Sequence, residues 1–145
     1  MSGIIGGAGS RSGVIGLPTL VNSISDYEEG TFTPVCTNVG FNQYAYGNYL
    51  KLGNFVHVSI YAQWNTSGTP TTISGLPFTL SGRSCMGVIA LNKVNTNYVS
   101  PFAYTPGNTS YFYIWSVRDD TTWGDAIASV ASEDEITVTM HYQTT

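Results

Sequence analysis

Apolar and polar side chains alternate along most of the chain after residue 26. Val56, Val58, Ile60, Ala62 and Trp64 fall on one side of a period of two, and Phe55, His57, Ser59, Tyr61 and Gln63 fall on the other, as a half-buried strand requires. Ile136, Val138, Met140 and Tyr142 alternate in the same way with Thr137, Thr139 and His141, predicting a second clear strand near the end of the chain. Shorter candidate strands lie at 71–73, 85–91, 98–104, 111–117 and 126–131, the last of them ambiguous. Turn chemistry separates them, at 65–70, Gly75-Leu76-Pro77, Ser81-Gly82 and Thr105-Pro106-Gly107-Asn108. Gly53-Asn54 sits between two alternating runs, and such a pair readily takes the positive φ values of a two-residue hairpin loop. No apolar stripe of helical period extends beyond a turn or two. Many short strands punctuated by turns predict an all-β fold, an antiparallel β-sandwich or jelly roll.

The pattern before residue 26 is different. Ser2-Gly3-Ile4-Ile5-Gly6 is echoed by Ser12-Gly13-Val14-Ile15-Gly16 across a Gly-rich spacer. Neither copy can bury itself alone, and glycine-rich chain is costly to order. Two apolar β-branched pairs on a flexible spacer are therefore expected to be received by a partner, as added strand or in grooves; a frayed tail is the plainer alternative. The expected division is an extended docking arm and connector at 1–25 and a β module at 26–145, with Ile4, Ile5, Val14 and Ile15 as docking side chains.

Composition sharpens this picture. At 145 residues, one domain with a continuous core is expected. Charged residues make up only 10% of the chain, against ~25% in ordinary soluble domains. Ten tyrosines and three tryptophans accompany that scarcity, and interface cores share the same bias. Part of the surface is thus expected to be covered by another chain. A net charge of −4 lacks the attraction to phosphate that nucleic-acid binding needs. No run approaches the ~18 apolar residues of a membrane-spanning helix, and no signal peptide is evident, so no membrane insertion is expected. Cys36 and Cys85 read as two free, buried thiols, with a disulfide as the less favoured reading.

Catalytic chemistry finds little footing. A nucleophilic triad would need a histidine base, and only His57 and His141 are present, each on an alternating strand. Two histidines and two distant cysteines show no metal-ligand cadence. Asp119, Asp120, Asp125, Glu133, Asp134 and Glu135 cluster in turn-like contexts, where carboxylates are ordinarily solvated or cap backbone amides, and EF-hand spacing is absent. No catalytic, cofactor-binding or metal residues are expected. Aromatic residues are the remaining candidates for recognition. Tyr111, Tyr113 and Trp115 would share one strand face and Phe112 and Ile114 the other, with Trp123 following a turn. Flat rings with polar edges give contact area at little entropic cost, which makes Tyr111, Tyr113, Trp115 and Trp123 candidate receptor contacts.

Three segments in order, Asp26-Tyr27-Glu28-Glu29-Gly30-Thr31-Phe32-Thr33-Pro34, then Tyr49-Leu50-Lys51-Leu52-Gly53-Asn54-Phe55-Val56-His57-Val58, then Ile73-Ser74-Gly75-Leu76-Pro77-Phe78, carry a resemblance. The chain resembles the small distal β modules of tailed-bacteriophage tail fibres, tailspikes and head fibres, over residues 26 to about 78. The resemblance implies that Glu29-Gly30-Thr31 begins the first strand and that Phe32 replaces a more usual tryptophan. It implies a homotrimer, which would account for the scarcity of charge, assembled in the host cytoplasm and carried on the virion surface. No heptad, collagen-like or β-helical repeat separates arm from module, so a short appendage close to the particle is expected. The implied function is a non-enzymatic tail-fibre or head-fibre-type structural protein, docked to a capsid or tail protein by its arm and displaying a module that adsorbs to the host, where a surface glycan is the candidate partner. A capsid decoration protein is the alternative, and a glycan-cleaving tailspike enzyme a more remote one.

Overall fold

The hairpin around Gly53-Asn54 is the first element to place. In a computed structural model describing residues 27–93, 100–117, 129–145 and the backbone of 123–126, β3 (Tyr46–Leu52) and β4 (Phe55–Gln63) pair antiparallel with Leu52 opposite Phe55. Gly53 has φ +59°, whereas Asn54 is not among the residues of positive φ. The loop therefore needs only its first central residue in that region, as a turn with glycine there does. The expected docking residues Ile4, Ile5, Val14 and Ile15, and the boundary at 25–26, lie outside the described residues.

β1 (Tyr27–Phe32) adds to the free side of β3 in a register that explains its glycine and its aromatics. Gly30 faces Tyr49, and Phe32 faces Gly47. A side chain at Gly30 would begin 2.7 Å from the Tyr49 hydroxyl, and one at Gly47 would collide with the Phe32 ring. Each ring thus lies across the backbone of the glycine opposite, an aromatic cover that protects an otherwise bare stretch of strand. The contact made by Phe32 uses an apolar ring and needs no indole donor. Tyr49 also donates to Glu28 Oε1 at 2.7 Å and meets Phe78 edge-on at 5.3 Å.

The remaining strands are β2 (Val35–Cys36), β5 (Ile73–Ser74), β6 (Cys85–Asn92), β7 (Ser100–Thr105), β8 (Tyr111–Val117), β9 (Trp123–Ala126) and β10 (Glu135–Gln143). Their order is β1-β3-β4-β10-β6-β7-β8-β5-β2, with β9 also on β8. Every pairing is antiparallel, and no helix occurs among the described residues. β1 and β2 stand at opposite ends of this order, yet only Thr33-Pro34 separates them. Three peptide steps reach ~10 Å, about the distance between packed sheets. The sheet must therefore curl until its two ends meet face to face, which realises the expected sandwich-like all-β fold as one curled antiparallel sheet.

Side chains turned inward fill the curl. Val56, Val58, Ile60, Ala62 and Trp64 from β4 and its continuation meet Ile136, Val138, Met140 and Tyr142 from β10, with Phe112, Ile114 and Ile73 closing the far side; all are buried. Several short strands differ from expectation in their bounds, β6 and β7 each ending one residue later. β5 runs Ile73–Ser74 where 71–73 was expected, and the ambiguous segment 126–131 lies partly outside the described residues: Ala126 ends β9, and Val130 makes an isolated bridge to Gly68. A tight turn follows at 131–134, where the Ala131 amide donates to Asp134 Oδ2 at 2.7 Å and Glu133 has φ +72°.

Candidate functional site: an aromatic face on β6, β7 and β8

Alternation along β8 divides its side chains cleanly. Phe112 and Ile114 enter the core, and Tyr111, Tyr113 and Trp115 stand half-buried on the outer face. The three candidate residues are thus brought together as the sequence predicts. Trp123 lies on β9, its backbone opposite Val117 across an irregularity in the β8–β9 register, and its side chain is outside the described residues.

Register extends this row into a surface. Val88 of β6 is opposite Phe102 of β7, which is opposite Trp115 of β8; Met86 is likewise opposite Tyr104, which is opposite Tyr113. Met86 and Val88 are 61% and 74% exposed, the highest values among the large apolar side chains described. Tyr104 stacks on Trp115 with centroids 4.3 Å apart and planes 11° from parallel. Tyr113 lies 5.9 Å from Trp115 and 5.5 Å from Tyr111, and Phe102 meets Trp115 edge-on at 6.3 Å. Such offset and edge-on geometries are the favourable ones for ring quadrupoles.

Polar atoms rim the rings. The Tyr104 hydroxyl is 3.2 Å from Ser84 Oγ. A hydrogen bond with Tyr111, reinforced by repulsion between the neighbouring phenols, raises the Tyr113 phenol above the ordinary tyrosine value. The outward positions of β6, β7 and β8 carry Met86, Val88, Ala90, Asn92, Ser100, Phe102, Tyr104, Tyr111, Tyr113, Trp115 and Val117, with no charged side chain among them. A flat, neutral, hydroxyl-edged surface of this kind can stack on the face of a sugar ring or accept an apolar protein surface. Sequence reasoning found the β8 row and missed Phe102, Tyr104, Met86 and Val88. Their strands were legible from alternation at 85–91 and 98–104, but the sequence does not state that β6 and β7 lie beside β8.

Two of the candidate carboxylates, Asp134 and Glu135, are structurally engaged. Asp134 is buried and caps the Ala131 amide. Glu135 accepts from Asn92 at 2.8 Å and is 3.4 Å from Lys93 Nζ; the Asn92 hydrogen bond above all, with Lys93 adding to it, holds its carboxyl below the ordinary value against a smaller desolvation. Asp119 and Asp120 lie outside the described residues. Cys36 and Cys85 are free thiols, the first buried and the second half-buried, and burial pushes both up from the ordinary value. Among the described residues no group of three or more His, Cys, Asp or Glu side chains is placed to hold a metal, and no helix is long and apolar enough to cross a membrane.

No protein-family model matches the chain. No curated protein matches it either. Among solved structures, the fold is similar to part of the Dettilon tailspike protein (gp208), with a TM-score of 0.63 and 18% sequence identity over 81% of this chain. The match covers 24% of that protein's length.

Proposed function

We propose that the chain is a non-enzymatic component of a phage tail appendage, a trimeric module that presents the aromatic face of β6, β7 and β8 to the host surface. The observation that carries this reading is the pairing of a tailspike-like fold over 81% of the chain with an outward, charge-free row of stacked rings at Tyr104, Tyr113 and Trp115. A monomer gains nothing in stability from leaving Met86 and Val88 in water, so a surface of this kind is retained for contact. Trimer formation is supported by the 10% charge content and by exposed Tyr46 and Leu52 on the outer side of the β3–β4 hairpin. Residues 1–25 serve as the docking arm to a capsid or tail protein, with Ile4, Ile5, Val14 and Ile15 as its apolar contacts.

The test uses the purified full chain. Sedimentation should give a trimer, and the trimer should bind host cells or their surface polysaccharide with Trp115→Ala reducing binding at unchanged fold. Deleting residues 1–25 should leave the module folded and cell-binding intact while abolishing attachment to particles. Particle attachment without cell binding by the intact chain would instead make it a decoration protein. Release of sugar products would overturn the non-enzymatic reading.

A further inference from the structure

β4 and β10 pair over nine residues in the middle of the sheet, and that register sets His57 directly opposite His141. Val56, Val58, Met140 and Tyr142, the neighbours of the two histidines along the chain, are all buried. Both imidazoles therefore project from the outer face, and a one-residue slip that separated them would expose a row of core side chains. His57 Nδ1 and His141 Nε2 are 3.0 Å apart. Phe55 packs 5.6 Å from the His141 ring, and Leu50 lies opposite His57 on β3, so apolar neighbours limit the swing of both rings.

We propose that His57 and His141 form a two-nitrogen site for a divalent transition metal, Cu²⁺ or Ni²⁺, on the outer face of the β4–β10 pair. The separation fits the chord between two cis ligands: with metal–nitrogen bonds of about 2.0–2.1 Å, nitrogens 3.0 Å apart subtend roughly 91–97° at the metal. That is the angle of square-planar or octahedral coordination, whereas a tetrahedral ion would want nitrogens about 3.3 Å apart. Whichever ring donates its hydrogen across this contact carries it on its other nitrogen once the metal is bound, so that each ring binds as neutral imidazole through the nitrogen facing its neighbour. A cleft of about 260 Å³ opens beside His141, lined in part by Phe55, Ser81, Arg83 and Gln143. Arg83 places a positive charge at its rim, so binding rests on nitrogen bonding and not on attraction between charges, which excludes Mg²⁺ and Ca²⁺ and favours the strongest nitrogen binders.

The two histidines belong to strands 84 residues apart, which is why ligand spacing along the chain gives no sign of them. The experiment is a titration of the full chain with Cu²⁺, and separately Ni²⁺ and Zn²⁺, in a non-coordinating buffer. One equivalent of Cu²⁺ per chain should bind saturably, with paramagnetic resonance showing coupling to two imidazole nitrogens and with affinity in the order Cu²⁺, Ni²⁺, Zn²⁺. His57→Gln and His141→Gln keep a hydrogen-bonding side chain, and each should weaken binding by more than the ~10-fold that loss of an outer-shell partner costs. In the wild-type chain, which has two histidines, both imidazole resonances should broaden together at the first additions of Ni²⁺, a readout independent of any variant's folding. Absence of saturable binding, coupling to fewer than two nitrogens, broadening of one histidine alone, or binding unchanged in a folded Gln variant would overturn the proposal.

Discussion

Phe112 and Trp115 sit three residues apart on β8 and face opposite ways, so replacing each by alanine separates the two faces of one strand. Phe112 is 0% exposed in the core, and deleting a buried phenylalanine side chain costs about 3–5 kcal/mol through lost transfer energy and an unfilled cavity. Trp115 stays half-buried and touches three rings, Tyr104, Tyr113 and Phe102. Aromatic pairs are worth ~0.5–1.5 kcal/mol each, and partial exposure brings the expected loss for Trp115→Ala to about 1–2 kcal/mol. With an m-value of ~2 kcal/mol/M in urea, the midpoints should fall by about 2 M for Phe112→Ala and by about 0.7 M for Trp115→Ala. Far-UV circular dichroism at a fixed protein concentration reads both, since any oligomer makes stability concentration-dependent. If Trp115→Ala lowers the midpoint as far as Phe112→Ala does, the outer face is core or permanent interface, and its assignment to recognition is wrong.

Three further perturbations test other parts of the structure. Gly47→Ala should lower stability by ~1–3 kcal/mol, because the new methyl must displace the Phe32 ring; a neutral result in thermal denaturation would refute the ring-over-glycine account. Both thiols are pushed up by burial, so thiolate is scarce at neutral pH. Alkylation should be slow in the native protein and fast in denaturant, with buried Cys36 slower than Cys85; equal native and denatured rates would contradict that. Glu135 titrates below the ordinary carboxylate value, chiefly through its Asn92 hydrogen bond, so its contribution is complete above the unfolded value of about 4.3 and fades as pH falls through the folded one. Asn92→Ala should raise its titration midpoint, measured by carboxyl NMR, and an unmoved midpoint would assign the shift elsewhere.

What the sequence makes legible here is local, and what it hides is lateral. A period of two tells which side chains of β4, β8 and β10 share a face, because pleating is a property of one strand alone, and the burial of Val56, Phe112 and Ile136 follows from it. The Gly53-Asn54 loop is equally local, since the hairpin's twist sets which residue needs a positive φ. Neighbourhood across the sheet is another matter. β10 comes last in the chain yet inserts between β4 and β6, and that insertion alone sets His141 against His57. Tyr104 reaches Trp115 only because β8 follows β7 in the sheet as well as in the chain, and residues 33–34 join strands at opposite ends of the order only because the sheet curls. The motif that begins the module lies between these cases. Gly30, Phe32, Gly47 and Tyr49 can be picked out by residue type, but a glycine under a ring becomes a physical reason only when the β1–β3 register pairs them. Candidate chemistry in an antiparallel fold of this kind should therefore be sought in cross-strand pairs, which spacing along the chain cannot reveal.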